Sequence, residues 1–322
     1  MDSSLRETRP ATAESPLIAL VGPTGSGKSG LALALAKQFD AEIVNCDSLQ
    51  IFRHFNIGTA KLPFEERQGI PHYLIDARDP NEVFTAGDYS RAGRTILDQI
   101  RDAHRIPLVV GGTGFYLRAL IDGLAPGPER DEALRDRLQS RENRRAGSVH
   151  RLLRRFDPHT AKRIHPNDVS KVIRAVEICL SARKPAQAVF DTGRDALAGY
   201  RTLKLGLFPD REELYRRLEL RVEQMYAQGL IAEVQSLLDQ GYAPSAKPFE
   251  SIGYKQALQS IKGELSPKDA VFYTKRATRQ YAKRQMTWFR QEPGIEILSG
   301  FGDSPEVYAK ALARMRAFIA IT

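Results

Sequence analysis

Gly22-Pro23-Thr24-Gly25-Ser26-Gly27-Lys28-Ser29 follows the apolar run Leu17-Ile18-Ala19-Leu20-Val21 and opens a helical pattern over 31–39. The order is strand, glycine-rich loop, helix. The stretch meets the pattern G-x-x-x-x-G-K-[ST] in the context that gives it meaning, because backbone amides and a helix N-terminus are placed there to receive a polyphosphate. Gly25 and Gly27 let the backbone curl around the phosphates, Lys28 supplies a mobile cation, and the Ser29 hydroxyl can ligate Mg2+. A plain Gly/Ser turn before a buried helix is the competing reading, and the match of both flanks weighs against it.

Downstream, Glu42-Ile43-Val44-Asn45-Cys46 reads as a short buried strand that delivers Asp47-Ser48-Leu49-Gln50 at its carboxyl end. Ligands of open α/β sheets gather at that edge. Asp47 could be a magnesium ligand, a general base or the N-cap of a short helix. The segment 56–61 reads as a loop, His72-Tyr73-Leu74-Ile75-Asp76 as another strand, and 85–104 as a helix with Ala86, Tyr89, Gly93, Ile96, Leu97 and Ile100 on its inner face. After Pro107, Leu108-Val109-Val110 enters Gly111-Gly112-Thr113-Gly114 and a helical pattern over 115–121. This second strand, turn and helix should face the first loop, with Thr113 able to donate to a phosphate or accept from a bound base. Two such loops together predict a two-substrate cleft.

The chain of 322 residues is long enough for one large core and a smaller appended unit. No apolar run approaches the roughly 20 residues of a membrane span, so no membrane partner is expected. Residues 1–15 are polar, lack the apolar heart of a signal peptide and read as a flexible extension. Cys46 and Cys179 have no metal-ligand spacing, which suits a reducing cytoplasm. Of the formal net charge of +9, residues 1–126 hold −2, 127–199 hold +6 and 200–322 hold +5. The positive charge thus lies away from the phosphate loop, as expected if the later segments hold a large polyanion; a solvated basic surface would give the same asymmetry.

Pro126-Gly127-Pro128 marks a boundary, and the charged, arginine-rich pattern over 127–199 reads as a helical insertion. Within it His165-Pro166-Asn167-Asp168 leads into a helix over 169–182 with Lys171 and Arg174 near its start. Cations there oppose the helix dipole and suggest an external anion, solvated side chains being the alternative. Leu203-Lys204-Leu205-Gly206-Leu207-Phe208 returns to strand character, and a helix over 210–228 aligns Arg217 and Arg221, which could reach a phosphate or pair with Glu213 and Glu219. A helix over 269–290 carries the stripe Lys275, Arg279 and Lys283, suited to an RNA backbone or to solvent. The fold class expected is α/β: a P-loop NTPase-like parallel sheet flanked by helices, built from 16–126 and 200–322, with a mostly helical insertion over 127–199.

Taken together, the phosphate loop, Asp47-Ser48-Leu49-Gln50, Ile57-Gly58-Thr59-Ala60-Lys61, Gly111-Gly112-Thr113-Gly114-Phe115-Tyr116, Gly253-Tyr254-Lys255 and Thr278-Arg279-Gln280-Tyr281-Ala282-Lys283-Arg284-Gln285-Met286-Thr287-Trp288-Phe289-Arg290 resemble the tRNA dimethylallyltransferase family. The motifs follow the family's order from residue 16 to residue 290. The resemblance implies that Gly22, Pro23, Thr24, Gly25, Ser26, Gly27, Lys28 and Ser29 hold dimethylallyl diphosphate and not ATP, with Mg2+ at Ser29. It implies transfer of the dimethylallyl group to the N6 amine of the adenosine 3′ of the anticodon, in the tRNA anticodon stem-loop, with release of diphosphate. By motif position Asp47 is then the general base, Thr113 sits beside the reacting centre, and Lys28 and Arg221 stabilise the leaving group. The implied tRNA contacts are Asp47, Ser48, Leu49, Gln50, Thr113, Arg135, Ser170, Lys171, Val172, Ile173, Arg174, Glu250, Ser251, Ile252, Gly253, Tyr254 and Lys255.

Two departures stand out: Asn56 occupies a position where many members have Asp, and Leu62 intervenes before Pro63. The zinc finger of eukaryotic members is absent, so a compact bacterial type, acting as a monomer in the cytoplasm, is expected. Two rival readings stay open. ATP-dependent phosphorylation of a nucleotide or RNA end predicts label transfer from γ-labelled ATP, and a non-catalytic RNA-binding module predicts RNA retention that survives replacement of Asp47.

Overall fold

The computed structural model describes residues 14–320. Of the extension expected over 1–15, residues 1–13 lie outside the described residues, and Ser15 already begins the first strand. Six strands form one sheet: β1 (Ser15–Val21), β2 (Ala41–Asn45), β3 (His72–Tyr73), β4 (Ile106–Gly111), β5 (Tyr200–Leu207) and β6 (Ile295–Leu298), in the order β3-β2-β4-β1-β5-β6. Every ladder is parallel. Strands covered on both faces need near-continuous apolar runs, and residues Leu17, Ile18, Ala19, Leu20 and Val21 are all fully buried.

By packing, the chain divides into two units, 1–120 with 198–322, and 121–197. The first holds the sheet. Helices α1 (Lys28–Phe39), α2 (Ala86–Asp102) and α3 (Gly114–Ile121) follow β1, the β3 segment and β4. Thr85 and Asp88 form a capping box at α2. One face of the sheet packs Ile18, Leu20, Ile43, Leu108, Leu205 and Leu298 against Leu31 and Leu35 of α1, together with Val307 and Met315 of the C-terminal helix 305–319. Each large aliphatic side chain so buried contributes about 1.5 to 3 kcal/mol. The third predicted strand is cut short after Tyr73, because Leu74 and Asp76 take left-handed backbone angles, φ 59° and 54°, that no strand can continue through.

The second unit is helical: α4 (Glu132–Arg144), α5 (Ser148–Phe156), α6 (Pro158–Arg163), α7 (Val169–Ala182) and α8 (Ala186–Phe190). It takes in a few residues before 127. Its core joins Leu138, Val149, Leu153, Val172, Ile173 and Val176. Val172 and Ile173, two of the expected tRNA contacts, place their side chains in that core, where they hold α7 in place. The cations nearby also have internal anions. The buried Glu177 carboxylate accepts from Arg135 at 3.0 Å, from Arg174 at 2.7 Å and from the amide of Asp131 at 2.8 Å. Lys171 pairs with the N-cap Asp168 at 2.5 Å. The charge near the start of α7 is therefore answered within the unit, which removes the reason to infer an external anion there. Ser170 and Lys171 are exposed, so they remain open to a partner.

Returning to the first unit, α9 (Arg211–Ala227), α10 (Leu230–Asp239), α11 (Tyr254–Ile261) and α12 (Pro267–Arg290) lie between β5 and β6, and α13 (Pro305–Ile319) closes the chain.

Candidate active site

Register builds the site. Val21 pairs with Gly111 and Asn45 with Val110, so the loops after β1, β2 and β4 open side by side on the carboxyl edge of the sheet. The amide of Cys46 donates to the Val110 carbonyl at 2.7 Å, and the amide of Thr113 donates to the Cys46 carbonyl at 3.1 Å. These bonds carry Asp47 to Thr113, whose hydroxyl oxygen accepts from the Ser48 amide at 3.1 Å. The Thr113 hydroxyl in turn donates to the Ser48 hydroxyl at 3.5 Å. Cys46 itself is buried, and burial pushes its thiol up to about 12.

In the phosphate loop Gly25 and Gly27 are left-handed, with φ 77° and 84°. Gly27 caps α1 without a side chain, which leaves the first-turn amides free to meet an anion. The Lys28 ammonium folds back to the Pro23 carbonyl at 2.6 Å and lies 3.5 Å from the Ser26 hydroxyl. Burial lowers Lys28 from 10.5 to about 7; Asp47 nearby opposes that shift and Arg221 adds to it. Burial likewise lowers Arg221, whose guanidinium sits 3.5 Å from the Thr24 hydroxyl. Asp47, Lys28 and Arg221 therefore form one electrostatic group over the loop.

Of the three roles left open for Asp47, the structure shows the cap. Its Oδ1 caps the following turn, accepting from the Leu49 amide at 2.9 Å and the Gln50 amide at 3.4 Å. Its Oδ2 makes no hydrogen bond to any described residue. The carboxylate thus caps and still presents one oxygen. Arg217, by contrast, is spent on Glu213 at 3.0 Å and Asp303 at 2.8 Å and stacks on Phe301, so only Arg221 of the aligned pair is free for an anion.

Two recesses are lined by residues of this group. A cleft of about 390 Å³ runs along the phosphate loop past Lys28 and Ser29, and one of about 340 Å³ is lined by Ser48, Leu49, Ser251, Ile252, Met225 and Tyr281. Thr24, Asp47, Thr59 and Arg221 line both. Of the expected tRNA contacts, Glu250 and Gly253 also line the second recess, and Gln50 the first. Lys255 is exposed. Tyr254 is a correction: it is fully buried, with its hydroxyl donating to Glu233, and cannot present its side chain to RNA. The stripe on α12 is corrected in part, because Lys275 pairs with Glu223 and Arg279 with Glu219 on α9, while Lys283 is exposed and unpaired among the described residues.

Sequence reasoning passed over two residues here. Gln285, nearly buried, accepts from the Thr24 amide at 2.9 Å and donates to the Gly112 carbonyl at 2.9 Å, tying the two glycine-rich loops together. Tyr281 lines the second recess beside Asp47; burial foremost, then that carboxylate, raises its phenol, so it stays a protonated donor. Both lie within the quoted motif on α12, but a Gln and a Tyr on a helix carry no role until their partners are known.

For magnesium, no group of three or more His, Cys, Asp or Glu is gathered among the described residues. The Ser29 hydroxyl, exposed in the first turn of α1, lines the first recess and makes no hydrogen bond there. This suits an ion that keeps most of its waters and arrives on phosphate oxygens, and does not suit a protein cage. Nor is any helix among the described residues long and apolar enough to cross a membrane.

Comparison with known proteins shows the family. The family model described as IPP transferase matches residues 50–292. The chain is 59% identical over 304 residues to the tRNA dimethylallyltransferase of Solibacter usitatus, covering 94% of this chain and 99% of the relative. It is 49% identical over 297 residues to that of Koribacter versatilis, covering 92% and 96%. Among solved structures, the full-length tRNA isopentenylpyrophosphate transferase from Bacillus halodurans superposes with a TM-score of 0.69 at 34% identity, over 95% of this chain and 96% of that one. A eukaryotic dimethylallyltransferase captured acting on tRNA gives a TM-score of 0.78 at 29% identity, over 94% of this chain and 77% of that one.

Proposed function

Because the chain belongs to the IPP transferase family, whose matched relatives are tRNA dimethylallyltransferases, we propose that it moves the dimethylallyl group of dimethylallyl diphosphate to the N6 amine of the adenosine 3′-adjacent to the anticodon of tRNA. One observation carries the reading onto this chain's own residues: Asp47 and Arg221 line both recesses. The diphosphate lies along the phosphate loop, against the first-turn amides of α1, Lys28 and Arg221. The adenine enters the second recess, flipped out of its stack at a cost of a few kcal/mol that pocket contacts offset.

In the reaction the N6 nitrogen attacks the first carbon of the dimethylallyl group, the bond from that carbon to the diphosphate oxygen breaks, and the N6 proton passes to Oδ2 of Asp47. An exocyclic amine is a poor nucleophile, so a placed carboxylate and charge neutralisation on the leaving group are what the step requires. Thr113 and Tyr281 are protonated hydroxyls beside that centre and orient the base. Mg2+, held by Ser29 and the donor's own oxygens, would add positive charge to the leaving diphosphate. The same reading takes the chain as a monomer and puts it in the cytoplasm with tRNA.

The test is to incubate the protein with radiolabelled dimethylallyl diphosphate and total tRNA. Label is expected to enter RNA. Label from γ-labelled ATP entering RNA, with none from the isoprenoid donor, would establish the kinase reading in its place.

RNA holding gives a separate expectation. Lys283 has no internal carboxylate, so Lys283→Gln should flatten the log-log salt dependence of tRNA binding by roughly 0.7 to 0.9. Lys275→Gln and Arg279→Gln should change it less, because their charges are already answered by Glu223 and Glu219. Filter binding across a salt series measures all three, and equal slopes for Lys283→Gln and wild type would return Lys283 to solvent.

A further inference from the structure

The loop 56–61 walls both recesses without secondary structure of its own. Thr59 lines each of them, Ala60 the first and Gly58 the second. Its end at Lys61 is fixed by that buried ammonium, which donates to the Phe52 carbonyl at 2.7 Å, to Asn56 Oδ1 at 3.0 Å and to Asp76 Oδ1 at 2.6 Å. In its middle, Gln50 Nε2 donates to the Thr59 carbonyl at 3.1 Å, which couples the loop to the turn capped by Asp47.

The other end is fixed from α10 and α11. The Glu233 carboxylate accepts from the Asn56 amide at 3.3 Å, from the Ile57 amide at 3.0 and 3.2 Å, and from the Tyr254 hydroxyl at 2.5 Å. Tyr254 in turn accepts from the Gly58 amide at 3.1 Å and packs its ring 4.6 Å from that of Phe55. The approach is so close that a Cβ on Gly58 would fall 2.3 Å from the Tyr254 ring. Consecutive amides of the loop thus end on one carboxylate, directly or through one phenol. An acceptor-only group is required at that point, since every partner is a donor.

We propose that Glu233 is a positioning residue for the transfer reaction. Acting through Tyr254 and the amides of Ile57 and Gly58, it holds Thr59 in the walls of the donor and acceptor recesses and so sets the approach of the adenine amine to the dimethylallyl carbon. It rests on the reading of the two recesses given above. Glu233 touches neither substrate. In Glu233→Gln the new NH2 group faces donors, the loop loosens, and the reacting atoms lose alignment while the phosphate loop is untouched.

The test uses the full chain as wild type, Glu233→Gln, Glu233→Asp, Tyr254→Phe and the double variant Glu233→Gln/Tyr254→Phe. Single-turnover transfer at saturating tRNA and donor is expected to fall on the order of tenfold in Glu233→Gln, with the KM for dimethylallyl diphosphate within about twofold of wild type, because a misplacement well under 1 Å is felt in the chemical step. Hydrogen exchange at the Ile57 and Gly58 amides should quicken in Glu233→Gln and Tyr254→Phe, while α1 stays as protected as before. Glu233→Asp should recover part of the rate, and the double variant should be little worse than Glu233→Gln alone, since both act on one loop. Should Glu233→Gln fail to fold by circular dichroism, Tyr254→Phe, which removes one oxygen and keeps the ring, carries the test. Faster exchange with an unchanged transfer rate, or slower transfer with unchanged exchange at 57 and 58, overturns the proposal. A wild-type protein that transfers no isoprenoid would strike the functional reading and not the anchor, which the exchange measurement tests by itself.

Discussion

Asp47→Asn is expected to slow dimethylallyl transfer by roughly 100- to 10,000-fold while tRNA affinity changes little, the range of positioned acid-base help. The geometry makes this substitution a clean one. Asn keeps an Oδ1 to receive the Leu49 and Gln50 amides, and Asn and Asp cap comparably well, so the turn should hold. What changes is the other atom: the oxygen that no described residue engages becomes an NH2 group that cannot take the N6 proton. The lost negative charge also stops favouring the charged form of Lys28, so the comparison belongs at saturating donor. A magnesium series then separates base from ligand. If Asp47 mainly held the metal, high magnesium would restore part of the rate, because a weakened site can be refilled. A near-wild-type single-turnover rate for Asp47→Asn at ordinary magnesium would remove the general-base role.

What the sequence made legible was whatever is local. The phosphate loop, its flanking strand and helix, and the second glycine-rich turn declare themselves because strand period, turn chemistry and helix start fall within a dozen residues. The rule that loops gather at the carboxyl edge then brought Asp47 and Thr113 together without coordinates. Distant partners were not legible. Lys275 and Arg279 look like free cations until α9 supplies Glu223 and Glu219 from far earlier in the chain. Gln285 reaches Gly112 across 173 residues, and Glu233 reaches Ile57 across 176. Nothing in a lone Gln or Glu predicts such a reach. Even the shortened β3 depends on two left-handed residues: Leu74, of a type that ordinarily avoids that conformation, and Asp76, of one that adopts it more readily. Local chemistry thus pointed to the candidate centre, and long-range hydrogen bonds hold the loops around it.

Lys28→Ala should weaken binding of dimethylallyl diphosphate by about 3 kcal/mol, on the order of 100-fold, because a phosphate loses a charge-assisted partner in a partly enclosed cleft. The displaced lysine also makes a signed prediction about pH. In the donor-free protein Lys28 titrates at about 7, with burial as the leading cause, against 10.5 for a free side chain. Between those two values the folded chain holds fewer protons than the unfolded one, so this group makes stability rise with pH across that window. Donor binding runs the other way. The diphosphate needs the ammonium, so above pH 7 binding must first take up a proton, and affinity should fall by up to about tenfold per unit. The donor's own phosphates lose their last proton near pH 6, so the interval from about 8 to 9 isolates the lysine. Calorimetric titration in two buffers of different ionisation heat measures the proton uptake directly. Wild type should take up close to one proton per donor at the upper end of that interval, and Lys28→Ala should take up none while losing the pH slope of its affinity. A wild-type slope that survives in Lys28→Ala would assign the titration to another group and leave Lys28 as an ordinary solvated cation at the mouth of the loop.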